Sequence, residues 1–199
     1  FDHRGPIFDR HWMLVDAETG IFLSQREIPK MALITTAIEG DCVWAGVLGN
    51  EKAIKLSSDG PEVDASIWSD DVQGLDCGDD AARWFSTQLE HECRLIFQGH
   101  CARLADTEYA ESGTAVSYAD GFPLLVVSLA SIQLLNTQCD ANIAAENFRP
   151  NIVVKNTEAF AEINWQRLVT DSISMNVVKP CERCIIPALN PKTGVRERD

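Results

Sequence analysis

The sequence predicts a mainly β fold with added helices, an α+β arrangement of barrel-like sheets. Three observations carry that reading. Short apolar runs rich in strand formers recur along the chain, most of them bounded by glycine or acidic turn residues. Only a few segments change to the three-to-four spacing of a helix. Strands and helices do not alternate regularly, which argues against a doubly wound parallel sheet.

Trp12 to Val15 and Ile21 to Ser24 flank Asp16-Ala17-Glu18-Thr19-Gly20, a hairpin pattern with glycine in the turn. Met31 to Ile38 and Cys42 to Val47 repeat it around Glu39-Gly40-Asp41. Ala53 to Leu56 and Ser66 to Trp68 are further strands, so residues 1–75 read as an antiparallel β unit. Residues 79–91 read as a helix, with Ala81, Ala82, Trp84, Phe85 and Leu89 at helical spacing. Asp76, Asp79 and Asp80 stand at its start, where carboxylates satisfy free N–H groups and the dipole. Arg94 to Phe97 is a strand, and Gly99 to Ser117 reads as a linker or mobile loop. Leu124 to Val127 predicts a buried strand, followed by a helix over Leu129 to Leu135 with Ser128 as N-cap. Ile152 to Val154 and Ile173 to Val178 predict strands, with a short turn at Phe160 to Trp165 between them.

A chain of 199 residues can bury one large core or two small ones. A net charge of −13 argues against a general nucleic-acid binder. The charge is uneven: residues 1–150 carry 10 basic and 24 acidic side chains, while residues 151–199 carry 7 and 6. The C-terminal part is therefore the better host for an anion. No apolar run approaches the roughly 18 residues of a membrane span, and no signal peptide is visible at Phe1. A chain opening on Phe1 points to a native N-terminus further upstream. Seven cysteines without regular spacing fit a reduced, cytoplasmic protein better than a disulfide scaffold.

The most informative motif is Cys181-Glu182-Arg183-Cys184. Thiolate is the form that binds metal and attacks, and an adjacent cation favours it. Arg183 supplies that cation one residue before Cys184. Taken alone, the spacing fits half a zinc site, a redox pair or two packed thiols. A zinc site needs two more ligands at short spacing, and none stands near either cysteine. His11 beside Trp12 reads as structural, His91 and His100 as surface residues, and Cys42, Cys77, Cys93, Cys101 and Cys139 as core or incidental.

Four segments, taken together, resemble one family. They are Phe8-Asp9-Arg10-His11-Trp12, Ser117-Tyr118-Ala119-Asp120-Gly121-Phe122-Pro123, Asn147-Phe148-Arg149-Pro150-Asn151 and Lys179-Pro180-Cys181-Glu182-Arg183-Cys184. Their order and spacing resemble the MOSC-domain molybdenum enzymes, in particular the bacterial YcbX-type proteins and the mitochondrial amidoxime reducing component family. Trp44 and the Asp76-to-Trp84 helix resemble the N-terminal MOSC-associated domain.

The resemblance implies a β-rich N-terminal domain over 1–112 and a MOSC β-barrel domain over 113–199. The family's Lys-Ser pair would lie upstream of Phe1, and the last barrel strands beyond Asp199. Leu129 stands where relatives usually carry Glu. The implied cofactor is molybdenum cofactor, a pterin dithiolene bearing a phosphate. Cys184 would be the metal ligand, Cys181 structural, and Arg10, Asp120, Asn147, Arg149, Asn151 and Arg183 the cofactor contacts. Asp120, beside the metal, would serve catalysis with Cys184. The chemistry agrees: thiolate suits molybdenum, arginine offers a planar donor fork to phosphate, and Asn151 can donate and accept at a ring edge. Arg149 precedes Pro150, which predicts an extended backbone.

The implied activity is two-electron reduction of N-hydroxylated compounds such as hydroxylated nucleobases and amidoximes. No haem or iron–sulfur spacing occurs in the chain. Electrons would come from a ferredoxin-like donor protein, or from a 2Fe–2S cluster in a domain or partner outside this chain. The competing reading is a non-enzymatic MOSC carrier of sulfur or cofactor for metal–sulfur cluster assembly, with a persulfide on Cys184.

Overall fold

The strands alternate residues between two buried faces, and that alternation builds the N-terminal core. A computed structural model describes residues 1–99, 103–139, 142–182 and 184–196. His100, Cys101 and Arg183 lie outside the described residues. The elements in order are β1 (Trp12–Asp16), β2 (Ile34–Glu39), β3 (Cys42–Val47), β4 (Asn50–Lys55), β5 (Glu62–Ile67), β6 (Asp70–Asp76), α1 (Asp79–Leu89) and β7 (Cys93–Phe97). Then come β8 (Arg103–Leu104), β9 (Ala115–Val116), β10 (Val126–Ser128), α2 (Leu129–Asn136), β11 (Ile152–Val154), β12 (Arg167–Val169) and β13 (Ser174–Asn176).

The main sheet runs β1-β7-β6-β5, and β2-β3-β4 form a second. Leu14 of β1 and Leu95 of β7 point to one face, where they meet Val43, Ala45, Leu56 and the helix residues Ala81, Phe85 and Leu89. Met13 and Val15 point to the other face, against Ala65, Ile67, Ile96 and Tyr118. Period-two alternation thus buries both sides of the sheet. On α1 the buried residues recur every fourth position, the spacing that keeps side chains on one stripe. The chain is therefore mostly β with two α-helices, and the sheets do not close into a barrel among the described residues.

The hairpin at Glu39-Gly40-Asp41 pairs Ile34–Glu39 with Cys42–Val47 as expected, but Pro29–Leu33 forms a 3₁₀ turn, so Met31 to Leu33 are not strand. Val15 bridges Phe22 across the first predicted turn, yet the long partner of β1 is β7. The sequence reading missed β6 because Gly74 and Asp76 occupy its inward positions and break the apolar alternation. It also missed β12. The predicted linker over Gly99 to Ser117 contains the short β8–β9 ribbon. Ser128 caps α2, its hydroxyl accepting from the Ala130 N–H at 3.2 Å, as predicted. β10 and β11 pair in parallel.

Candidate functional site

The residue pair Asp9-Arg10 sits just before β1, in a chain segment bent by unusual backbone angles. Phe8 and Arg10 both take positive φ, 68° and 56°. Non-glycine residues pay roughly 1–2 kcal/mol for that conformation, so the surroundings must enforce it. They do. The Asp9 N–H donates to the Pro6 carbonyl at 3.0 Å, and the Arg10 carbonyl accepts from the Tyr118 N–H at 3.0 Å. A Cβ on Gly5 would come within 2.6 Å of Pro123 Cβ, so only glycine lets these two segments touch. The N-terminal segment and the Asp120–Pro123 loop are thereby held together.

The Asn147–Asn151 motif lies on a 3₁₀ turn, Ala145–Phe148. Asn147 Oδ1 accepts from the Ala144 N–H at 3.1 Å. Its Nδ2 donates to the Pro187 carbonyl at 3.0 Å and to the Leu189 carbonyl at 3.5 Å. Asn147 is a strut between two backbone segments. Arg149 is left-handed, with φ 54° and ψ 48°, and not extended as expected. The reason is local. A following proline disfavours the right-handed region, and the 3₁₀ turn closes through the Arg149 N–H to the Glu146 carbonyl at 3.1 Å, which selects the left-handed alternative. Asn151 is fixed at both ends of its amide. Its Oδ1 accepts from the Leu125 N–H at 3.0 Å, and its Nδ2 donates to Asp9 Oδ2 at 3.0 Å.

Asp9 also forms an ion pair with Arg10. The Arg149 guanidinium has no hydrogen bond or ion pair among the described residues. The residue is exposed, yet loss of hydration lowers its pKa; Arg10 lowers it further, while Asp120 and Asp9 pull it back up. Arg10, Arg149, Asn151, Asp9 and Asp120 therefore share one electrostatic neighbourhood. Two guanidiniums and two carboxylates thus act on one another there.

Asp120 is exposed. Its carbonyl accepts from Arg103 Nη2 at 3.4 Å, and the Ala119 carbonyl accepts from Arg103 Nη1. Arg103 is itself held by Asp70. Sequence reading missed both Arg103 and Asp9. Asp9 was readable in principle as a carboxylate next to Arg10; Arg103 carried no local signal.

Cys181 and Cys184 are exposed and unpaired. Three residues after Cys184, Pro187 belongs to a 3₁₀ turn, Ile186–Ala188, that packs on Ala145–Phe148. Upstream, Lys179 Nζ lies 4.6 Å from the Tyr109 ring centroid, and Tyr109 meets Phe122 edge-on at 6.4 Å. The cysteine segment is thus tied on one side to the arginine motif and on the other to the Asp120 loop. Among the described residues, no three His, Cys, Asp or Glu side chains gather as a metal site. A cavity of about 940 Å³ is lined by Asp64, Asp70, Gln98, Arg103 and Tyr118 among others. Tyr118 belongs to the motif that carries Asp120, but no candidate cofactor or metal residue lines the cavity.

Two family models match the chain. The MOSC N-terminal beta barrel domain matches residues 1–92, and the MOSC domain matches residues 113–198. The chain is 34% identical over 202 residues to mitochondrial amidoxime reducing component 2 of Bos taurus, covering 98% of this chain and 60% of that protein. It is 32% identical over 202 residues to the component 2 of Homo sapiens, with the same coverage. To mitochondrial amidoxime-reducing component 1 of Mus musculus it is 30% identical, covering 98% of this chain and 59% of the relative. The chain spans about 60% of the length of these relatives. No helix among the described residues is long and apolar enough to cross a membrane.

Proposed function

The chain belongs to the MOSC-domain family, and from that premise we propose that it forms the cofactor site of a molybdenum-dependent reductase of N-hydroxylated compounds. The names of its relatives support the substrate class, with hydroxylated nucleobases and amidoximes as the compounds to test. One observation carries the reading. Asn147 straps the motif of Arg149 and Asn151 to the segment that follows Cys184, and the Arg149 guanidinium has no hydrogen-bond or ion-pair partner among the described residues.

The residues present fit a phosphate-bearing metal cofactor. In this reading Cys184 is the metal-binding thiolate. Arg149 and Arg10 offer N–H donors to the phosphate, and Asn151 is oriented at the same site by Leu125 and Asp9. Asn147 positions the Cys184 segment rather than meeting the cofactor, because its amide is engaged by three backbone groups. Arg183, next to Cys184 in sequence, would be a further donor to the cofactor. When bound, the molybdenum group would supply the two-electron chemistry. Asp120 would hold a proton at its carboxyl oxygen for the departing hydroxyl, since N–O cleavage consumes two electrons and two protons and releases water. The electrons would come from a ferredoxin-like donor protein or domain.

Six described cysteines are unpaired, which favours a reducing compartment such as the cytoplasm; the mitochondrial names of the relatives make organelle fractionation the deciding measurement. The function is tested by metal and pterin analysis of full-length protein from a host that makes the cofactor. Near one molybdenum and one pterin per chain are expected. Stoichiometric zinc without molybdenum, or persulfide on Cys184 without metal, would overturn the assignment, the latter in favour of a sulfur carrier.

A further inference from the structure

We propose that the cavity of about 940 Å³ is a second ligand site, one that takes a small organic cation with N–H donors on a flat apolar body, of the amidinium or guanidinium class. The proposal stands apart from the cofactor reading, since none of the residues assigned to the cofactor lines the cavity. Its first support is Gln98. This residue continues β7, its N–H donating to the His11 carbonyl at 2.9 Å. It lies two positions after Ile96 and so on the same face of the sheet. It is only 1% exposed. Its Nε2 donates to the Val116 carbonyl at 2.9 Å, and its Oε1 has no hydrogen-bond partner among the described residues. A buried acceptor without a donor is costly, and native structures nearly always supply one. Gln98 lines the cavity, so a ligand N–H bound there would supply the missing bond.

Charge selects the ligand class. The lining holds three carboxylates, Asp64, Asp70 and Asp71, against one guanidinium, Arg103. Arg103 is already engaged by the protein: its Nε is paired with Asp70 at 2.5 Å, and its Nη1 and Nη2 donate to the Ala119 and Asp120 carbonyls. Asp64 accepts from the neutral Gln73 amide at 3.0 Å. No ion pair among the described residues compensates Asp64 or Asp71. Their charge is left to the cavity, and a cleft lined by one sign concentrates ligands of the other. Val72 and Leu104 add apolar wall for a ring, and the volume suits an organic molecule better than a bare ion.

The test is calorimetric titration of the full-length protein, as isolated, with three probes of one shape: benzamidine, benzamide and benzoate. At pH 7 benzamidine should bind at one site per chain, benzamide at least about fivefold more weakly, and benzoate not measurably. Asp64→Asn combined with Asp71→Asn should weaken benzamidine by roughly fivefold and leave benzamide unchanged, because the change removes charge and keeps the acceptors. Gln98→Leu should weaken benzamidine and benzamide alike, by roughly five- to tenfold, since both donate an N–H to the same oxygen. That variant is read only if its thermal melt stays cooperative, and the aspartate pair decides the proposal in either case. Reduction of an amidoxime would also release an amidine, so a third variant fixes where the probe sits. Asp120→Asn should leave benzamidine binding unchanged. Loss of binding in Asp120→Asn, with none in the aspartate pair, would move the cation to the proposed reaction site; that overturns the cavity assignment and leaves the reductase reading intact. Equal binding of benzamidine and benzoate, or no binding of benzamidine by the wild-type protein, overturns the proposal outright.

Discussion

The Asn147 side chain donates to the Pro187 carbonyl at 3.0 Å across 40 residues of sequence, and this bond joins the arginine motif to the cysteine motif. Neither motif could be assigned a common site from spacing alone. The bond supplies the physical link: a 3₁₀ turn that ends in Arg149 is laid against a 3₁₀ turn that begins just after Cys184. Asn147→Ala should therefore cost about 1–3 kcal/mol of unfolding free energy, as partly buried backbone groups lose their partner. It should also lower cofactor content. Urea unfolding and metal analysis check both. A variant that loses stability and retains full cofactor would make the strut purely architectural.

Cys184 and Cys181 should behave differently. Cys184→Ala should lose the molybdenum, and Cys181→Ala should keep much of it, because one thiolate completes the sulfur set around a dithiolene-bound metal. Both thiols are exposed, so neither substitution opens a cavity, and loss of metal can be read without a folding correction. Equal loss in both variants would show that the ligand was assigned to the wrong cysteine.

Arg149 carries two separable effects. Its guanidinium is the donor assigned to the anion in the proposed site, and its backbone is left-handed at φ 54°. Arg149→Ala and Arg149→Gly should both lose phosphate affinity, by roughly 10- to 150-fold for one charge-assisted hydrogen bond. Arg149→Lys should lose less than alanine but still fall short of arginine's fork. In stability the order should reverse. Glycine relieves the left-handed strain, so Arg149→Gly should exceed Arg149→Ala by about 1 kcal/mol. Affinity that follows stability across the three variants would place Arg149 outside the site.

The acid limb of the stability curve should depend on Asp76. This carboxylate is buried and bonded to Arg94, which lowers its pKa; burial opposes the shift, and the Gly78 N–H adds to it. A carboxyl with a depressed pKa in the folded state contributes stability above its unfolded value near 3.9 and loses it as pH falls through the folded value. Asp76→Asn should thus destabilise the protein at neutral pH, by about 1.5–3 kcal/mol for a charged hydrogen bond. It should also flatten the pH dependence below about pH 4. Chemical denaturation at pH 7 and at pH 3 checks the sign. A constant difference at both values would mean that the pair stabilises by packing, not by charge.

Sequence carried the pattern of β1, β3, α1 and α2 because each buries a regular apolar stripe or carries a cap, whereas β2, exposed beyond Ile34, was legible through the glycine turn that pairs it with β3. It failed at β6, where Gly74 and Asp76 fill inward positions. The Asp76 carboxylate is satisfied by the Gly78 N–H two residues on and by Arg94, which lies 18 residues away and outside a local window. The candidate site divides the same way. Arg10, Arg149, Asn151, Asp120 and Cys184 stood in short motifs and could be named. The contacts that gather the motifs come from Asp9, Asn147, Arg103 and Gly5, and those act across dozens of residues. The left-handed turn at Arg149 was also hidden, since a following proline excludes only the right-handed helix and leaves two alternatives.

Activity should depend on Asp120 without metal binding depending on it. The carboxyl is exposed on a loop whose backbone is gripped by Arg103 and whose far end is wedged against Gly5, so its position is set by main-chain contacts that asparagine leaves intact. Full-length, molybdenum-loaded protein with an artificial electron donor should reduce an amidoxime or an N-hydroxylated base. Asp120→Asn should slow turnover while molybdenum and pterin content stay near wild type. General acid–base assistance is typically worth 10²–10⁴-fold, so a drop of roughly that size is expected. The solvent deuterium isotope effect on turnover distinguishes proton delivery from mere substrate contact. If Asp120 gives the proton, the variant should change that effect as well as the rate. A variant with a lower rate but the same isotope effect would leave Asp120 as a substrate contact, and an unchanged rate would take it out of the reaction.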